Sequence, residues 1–243
     1  MNKKRVIINA DDFGKSHDVN LAIVESFAKG WINQTTIMVN MPFADEAVKL
    51  ALENGFFEKV GLHVVLTEGK PLNTETLSLT GIYGSNCREM NGQISSKCRS
   101  KILNHTELLI LSSEIEVQIA KYKEYGFPLL HIDSHHHIHN EYQIFKIFYN
   151  LAIQNDFRSM RILRNMFPTP NISSRLKKIY KSHLNSLIRK NFVTTELFGS
   201  FDDYNKYYSD DKSVEIMVHP TLQNGRVYDV VEDRLEEMPK VLL

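Results

Sequence analysis

Five of the chain's ten histidines fall between residues 131 and 139, in Leu130-His131-Ile132-Asp133-Ser134-His135-His136-His137-Ile138-His139. In an extended segment side chains alternate between faces, so Asp133, His135 and His137 are expected on one side and His136 on the other. Carboxylate and imidazole side by side suit a divalent ion better than an apolar core. A His-rich surface loop that holds metal loosely is the bland alternative. Against it stands the apolar lead-in Phe127-Pro128-Leu129-Leu130, which reads as the start of a buried strand. A second chemical pair is Asp11-Asp12, directly after Val6-Ile7-Ile8-Asn9-Ala10. Adjacent carboxylates repel unless a cation or donors compensate, and a capping or turn aspartate accounts for only one of the two. His63, in Val60 to Thr67, would be an ordinary core histidine on its own. It gains weight from standing at the end of a third β element. His219 is fixed at a strand tip by Pro220, which cannot continue the strand.

The elements that must position these groups alternate along the chain. Val6–Ala10 is a short β-branched run without alternation, as expected of a strand covered on both faces. Helix is expected over 18–29, ended by Gly30, then strand over 35–39 and helix over 42–54, closed by Gly55. Residues 68–104 lack periodicity and read as a long insertion of the kind that forms lids or binding loops. Ser113 with Glu116 reads as a capping box opening a helix that runs to Gly126. Further on come a helix over 144–153, a strand over 160–163, a basic helix over 173–190 with a solvated face, a strand over 192–195 and a strand over 214–218. Strand and helix repeated in this way imply a parallel sheet with helices outside. Placing Asp11, Asp12, His63, the 133–139 cluster and His219 at the ends of four strands is how a (β/α) barrel distributes an active site. About seven strands are expected, in one domain spanning 1–243.

Composition narrows the classes of partner. With 243 residues, 42% hydrophobic and 24% charged, the chain can bury a sizeable core. Twenty-nine basic and twenty-nine acidic side chains cancel, so nothing favours nucleic acid or an anionic membrane. The apolar run near the basic N-terminus ends at Asn9, too short for a signal peptide, and no stretch is long enough to span a bilayer. Two cysteines, Cys87 and Cys98, argue for a reduced compartment over a disulfide framework, so the cytoplasm is expected.

Four segments together resemble the YdjC family: Asn9-Ala10-Asp11-Asp12-Phe13-Gly14; Gly61-Leu62-His63 with Leu66-Thr67 and Gly69-Lys70-Pro71-Leu72; Asp133-Ser134-His135-His136-His137-Ile138-His139; and Met217-Val218-His219-Pro220. The best-known members are chitooligosaccharide (chitin disaccharide) deacetylases. The resemblance implies a deformed TIM-like (β/α) barrel, one divalent ion (Mg²⁺ or Zn²⁺), and removal of an N-acetyl group from an amino sugar. By matching position it implies Asp12, His63 and His135 as metal ligands, Asp11 as general base, and His219 across the site as acid or substrate-orienting donor. Phe13, Trp31 and Tyr83 are aromatic candidates for a sugar platform. Family members usually follow the His-Pro motif with a glycine-containing turn, a long helix and a closing strand. Here Thr221 follows Pro220 and the chain stops at Leu243. An open sheet edge near the first strand, and hence a homo-oligomer, is the expectation. Two rivals stand beside the deacetylase reading: another metal-dependent barrel hydrolase such as a phosphoesterase, and a non-catalytic sugar-binding member of the family. Barrel phosphoesterases commonly open with His-x-His on the first strand, where this chain carries Asp-Asp. An unused base would serve no purpose in a mere binder.

Overall fold

The computed structural model describes residues 5–78, 102–208 and 211–230. Cys87, Cys98, Tyr83, much of the expected 68–104 insertion and the C-terminal end lie outside them. Seven parallel strands form a curled sheet: β1 (Val6–Phe13), β2 (Gln34–Ile37), β3 (Val60–Val64), β4 (His131–Ser134), β5 (Ser159–Met160), β6 (Leu197–Ser200) and β7 (Val214–Val218). Their spatial order is β5-β4-β3-β2-β1-β7-β6. The helices α1 (His17–Ala28), α2 (Ala44–Glu53), α3 (His105–Glu124), α4 (Tyr142–Gln154), α5 (Ile172–Asn191) and α6 (Phe201–Tyr207) fall between strands, giving an α/β, TIM-like barrel architecture. A two-stranded antiparallel hairpin, β8 (Pro220–Gln223) and β9 (Arg226–Asp229), follows β7. No described helix is long and apolar enough to cross a membrane.

The first strand is not an edge. β1 pairs with β2 on one side and, in unbroken register from Val6↔Val214 to Ala10↔Val218, with β7 on the other. The expected open edge near β1 is therefore corrected: β7 closes onto β1 directly. The two outer strands, β5 and β6, share no ladder with each other. Their flanking chain still joins them, through the Ser159–Val193 bridge and the N–H groups of Asn165 and Met166 donating to the carbonyl of Phe198.

Three local expectations shift. The helix expected to start near Ser113 begins at His105, because Asn104 and Glu107 form the capping box one helical segment earlier. The strand placed at 192–195 lies at Leu197–Ser200, since the 192–195 stretch serves as the bridge to β5. The strand placed at 160–163 ladders only over Ser159–Met160. Phe13 is completely buried against Phe56, and Trp31 is 9% exposed in the core, so neither offers a face to a sugar.

Candidate active site

The C-terminal ends of β1, β3, β4 and β7 converge as the alternation of strand and helix requires, and apart from the half-buried His219 the side chains there are buried. β1 does so with an irregularity. Its register with β2 slips between Ala10 and Phe13, and Asp12 takes φ = 70°, in the left-handed region. In a regular strand neighbours face opposite sides, so Asp11 and Asp12 could not both enter the barrel. The bulge brings both to bear on His63, whose ring reaches towards each carboxylate.

Asp12 Oδ1 lies 2.9 Å from His135 Nδ1 and 3.5 Å from His63 Nε2. Both Asp12 Oδ1 and His63 Nε2 are buried without a hydrogen-bond partner, so the approaches are close but not directed as hydrogen bonds. Buried polar atoms are rarely left so. One atom each from Asp12, His63 and His135 lies within 4.8 Å of the others, an O/N/N donor set that fits a divalent cation. The outer nitrogens are already engaged. His63 Nδ1 meets Asp133 Oδ1 at 2.6 Å, and His135 Nε2 meets Glu68 Oε2 at 2.7 Å. Each imidazole thus has a carboxylate behind it, which leaves His63 Nε2 and His135 Nδ1 to face the centre. Burial disfavours a charged His63, but Asp133, Asp12 and Asp11 outweigh it and raise its pKa to about 10 in the metal-free protein.

Asp11 sits beside this set. Arg161 grips it bidentately, NH1 to Oδ2 and NH2 to Oδ1 at 2.7 Å each. The same guanidinium reaches Asp133 Oδ2 at 2.8 Å and Glu215 Oε1 at 2.6 Å. Burial alone would raise the Asp11 pKa. The Arg161 charge and its hydrogen bonds override that, and hold Asp11 ionised well below the usual carboxylate range. Asn9 Nδ2 adds a further bond to Asp11 Oδ1. His219 Nε2 is 3.9 Å from Asp11 Oδ2, and its backbone N–H is fixed by Asp229 Oδ2 at 2.7 Å.

The histidine tract does not behave as a strand throughout. β4 ends at Ser134, and residues 135–140 wind into a tight 3-10 turn, with His136 and His137 at φ of 52° and 53°. The expected grouping of Asp133, His135 and His137 on one face is thereby lost, because alternation stops where the turn begins. His137 packs edge-on against Phe198, and His139 bonds Ser134. Burial keeps both rings neutral at neutral pH. Arg161, Glu215 and Glu68 are the members of this cluster that the chain reading passed over, whereas Asp133 was singled out with the histidine tract and is found behind His63. Their signal was present for two of them: Arg161 in Met160-Arg161-Ile162-Leu163 and Glu215 in Val214-Glu215-Ile216 are charges inside runs otherwise fit for a buried strand.

The sequence profile of the YdjC-like protein family matches residues 5–240. The chain belongs to the YdjC family. Among its YdjC relatives, a carbohydrate deacetylase of Clostridium beijerinckii is 30% identical over 223 residues, covering 92% of this chain and 84% of its own. A carbohydrate deacetylase of Geobacillus stearothermophilus is 31% identical over 240 residues, covering 96% and 86%. The fold is shared with the crystal structure of a candidate cellobiose-phosphate cleavage protein of Enterococcus faecalis, at a TM-score of 0.64 and 22% identity over 92% of this chain and 83% of that one.

Proposed function

We propose that this YdjC protein is a metal-dependent carbohydrate N-deacetylase that hydrolyses the N-acetyl group of an amino sugar or chitooligosaccharide, releasing acetate and the free amine. The observation that carries the reading is the convergence of Asp12 Oδ1, His63 Nε2 and His135 Nδ1 with two of the three atoms buried and unpartnered. Family membership and the named deacetylase relatives support the choice of reaction. Asp12, His63 and His135 would hold one divalent ion, Zn²⁺ favoured by the two imidazoles and Mg²⁺ accommodated by carboxylate and water. Such an ion lowers the pKa of water and polarises a carbonyl.

The remaining steps fall to the chain's own groups. An acetamide needs a base for the attacking water and a proton for the departing nitrogen. Asp11 is ionised and aimed by Arg161, so it accepts the water's proton without first having to lose one. Its weakness as a base is offset by the increased acidity of water beside a cation. His219, 24% exposed on its side chain and beside Asp11, is placed to hand a proton to the amine or to hold the acetamide. The test is acetate release from N-acetylated chitooligosaccharides with and without chelator. Activity that is lost to chelator and restored by Zn²⁺ or Mg²⁺ is expected. Turnover unaffected by chelation overturns the metal-dependent reading, and hydrolysis of phosphate esters in place of amides would transfer the protein to the phosphoesterase class.

A further inference from the structure

Behind His135 stands a carboxylate that comes from neither the strand cluster nor the barrel interior. Glu68 lies four residues beyond the end of β3, where the chain turns towards the 74–78 helical turn. Its Oε2 is 2.7 Å from His135 Nε2 and 3.0 Å from Lys15 Nζ, and Lys15 continues to Asp12 Oδ2 at 3.2 Å. Ligand-type groups and supports therefore close a ring: Asp12 to His135, His135 to Glu68, Glu68 to Lys15, Lys15 back to Asp12. The segment carrying Glu68 is itself tied down. Asn40 Nδ2 donates to the carbonyls of Glu68 and Lys70, and the buried Glu114 of α3 accepts the N–H groups of Leu72 and Asn73.

Resting on the metal-site reading above, we infer that Glu68 is a positioning residue that orients the His135 ring so that Nδ1 faces the ion. It does so by accepting the Nε2–H, and it brings a post-strand segment into the metal site as its outer wall. The geometry leaves little alternative for that ring. Its neighbour His136 is in the left-handed region and is held by Thr67 Oγ1 at 2.9 Å, so the turn after Ser134 fixes where the ring starts but not how it rotates. Glu68 supplies that rotation. A carboxylate behind a ligating imidazole fixes its tautomer and increases its basicity.

A competing role for Glu68 is to neutralise Lys15, and the experiment separates the two. Zn²⁺ alone is titrated calorimetrically into wild type, Glu68→Gln, Glu68→Ala, Lys15→Met and the Lys15→Met/Glu68→Gln double variant, with the metal-free melting temperature of each. The expected result is a loss of Zn²⁺ affinity of about 10- to 100-fold for Glu68→Ala. Glu68→Gln, which keeps an acceptor for Nε2–H, should lie between it and wild type. The loss from Glu68→Gln should be the same in the Lys15→Met background, because the cycle then shows no dependence on the ammonium. Replacing Zn²⁺ with Co²⁺ should show an altered visible spectrum in Glu68→Ala, a change that a purely structural role would not bring. Wild-type affinity in both Glu68 variants, or a loss that vanishes once Lys15 is gone, overturns the positioning role while leaving the metal site standing. A wild-type protein that takes up no metal overturns the metal reading itself.

Discussion

Asp11 and Asp12 are neighbours in sequence with different partners, so they should fail differently. Asp12→Ala removes a proposed ligand and should abolish metal uptake. Asp11→Asn leaves Asp12, His63 and His135 in place, so metal should remain while turnover falls by about two to four orders of magnitude. Metal content measured alongside deacetylation rate decides it. Metal loss in Asp11→Asn with retention in Asp12→Ala would exchange the roles. Arg161 makes a harsher prediction. It is the shared partner of Asp11, Asp133 and Glu215, all buried, and Arg161→Met would leave three carboxylates without their cation. A loss of about 3–5 kcal/mol is expected in denaturant unfolding. His63 gives the pH prediction. Its folded pKa is raised, to about 10, above the ordinary histidine value, so its contribution to metal-free stability is full below about 6.5 and disappears as pH rises through about 10. The same proton competes with the ion, so Zn²⁺ affinity should increase with pH across 6 to 8, as a competition assay at several pH values can check. Asp12, His63, His135, Asp11 and His219 were legible because each closes an apolar run or sits in a dense motif. Glu68 was not. It lies in a stretch without periodicity, and only the folded path of that stretch brings it to His135.

At the level of elements, strand existence and order follow from apolar runs, whereas their ends depend on partners a linear reading does not see. The chain after Phe192 shows this. Its β-branched residues suggest a strand at 192–195, yet the ladder with β7 begins at Leu197, because Ser213 and Glu196 tie the chain together just before it. α3 begins at His105 for a similar reason: the reciprocal bonds between its N-cap Asn104 and Glu107 satisfy orphan N–H groups at that end. Close packing between β3 and β4 provides an element-scale test. A Cβ on Gly61 would come within 3.0 Å of the His131 ring, 3.1 Å of its carbonyl and 3.1 Å of Thr36. Gly61→Ala should therefore push β3 from its neighbours, at about 1–3 kcal/mol in thermal or denaturant unfolding. A change within 0.3 kcal/mol would mean that the strands separate at no cost.

For the whole molecule, the expectation of an open edge beside β1 rested on the closing strand that family members carry after the His-Pro motif, whereas here β7 pairs with β1 directly. β1 is flanked on both sides, and the weaker joint lies between β5 and β6, where single bridges replace a ladder. Hydrogen exchange should find the slowest amides in β1, β2 and β7 and faster ones along 159–166 and 193–198. Equal protection around the barrel would show that the joint is as firm as the ladders. The slip in β1 has a consequence for anyone moving this site elsewhere. Copying Asp11, Asp12, His63 and His135 onto the strand tips of another barrel would transplant the letters without the spacing. On a regular pleat one aspartate would turn out to the helices. The chemistry is written as a dislocation in an otherwise periodic lattice, so the defect must be grafted together with the side chains it turns.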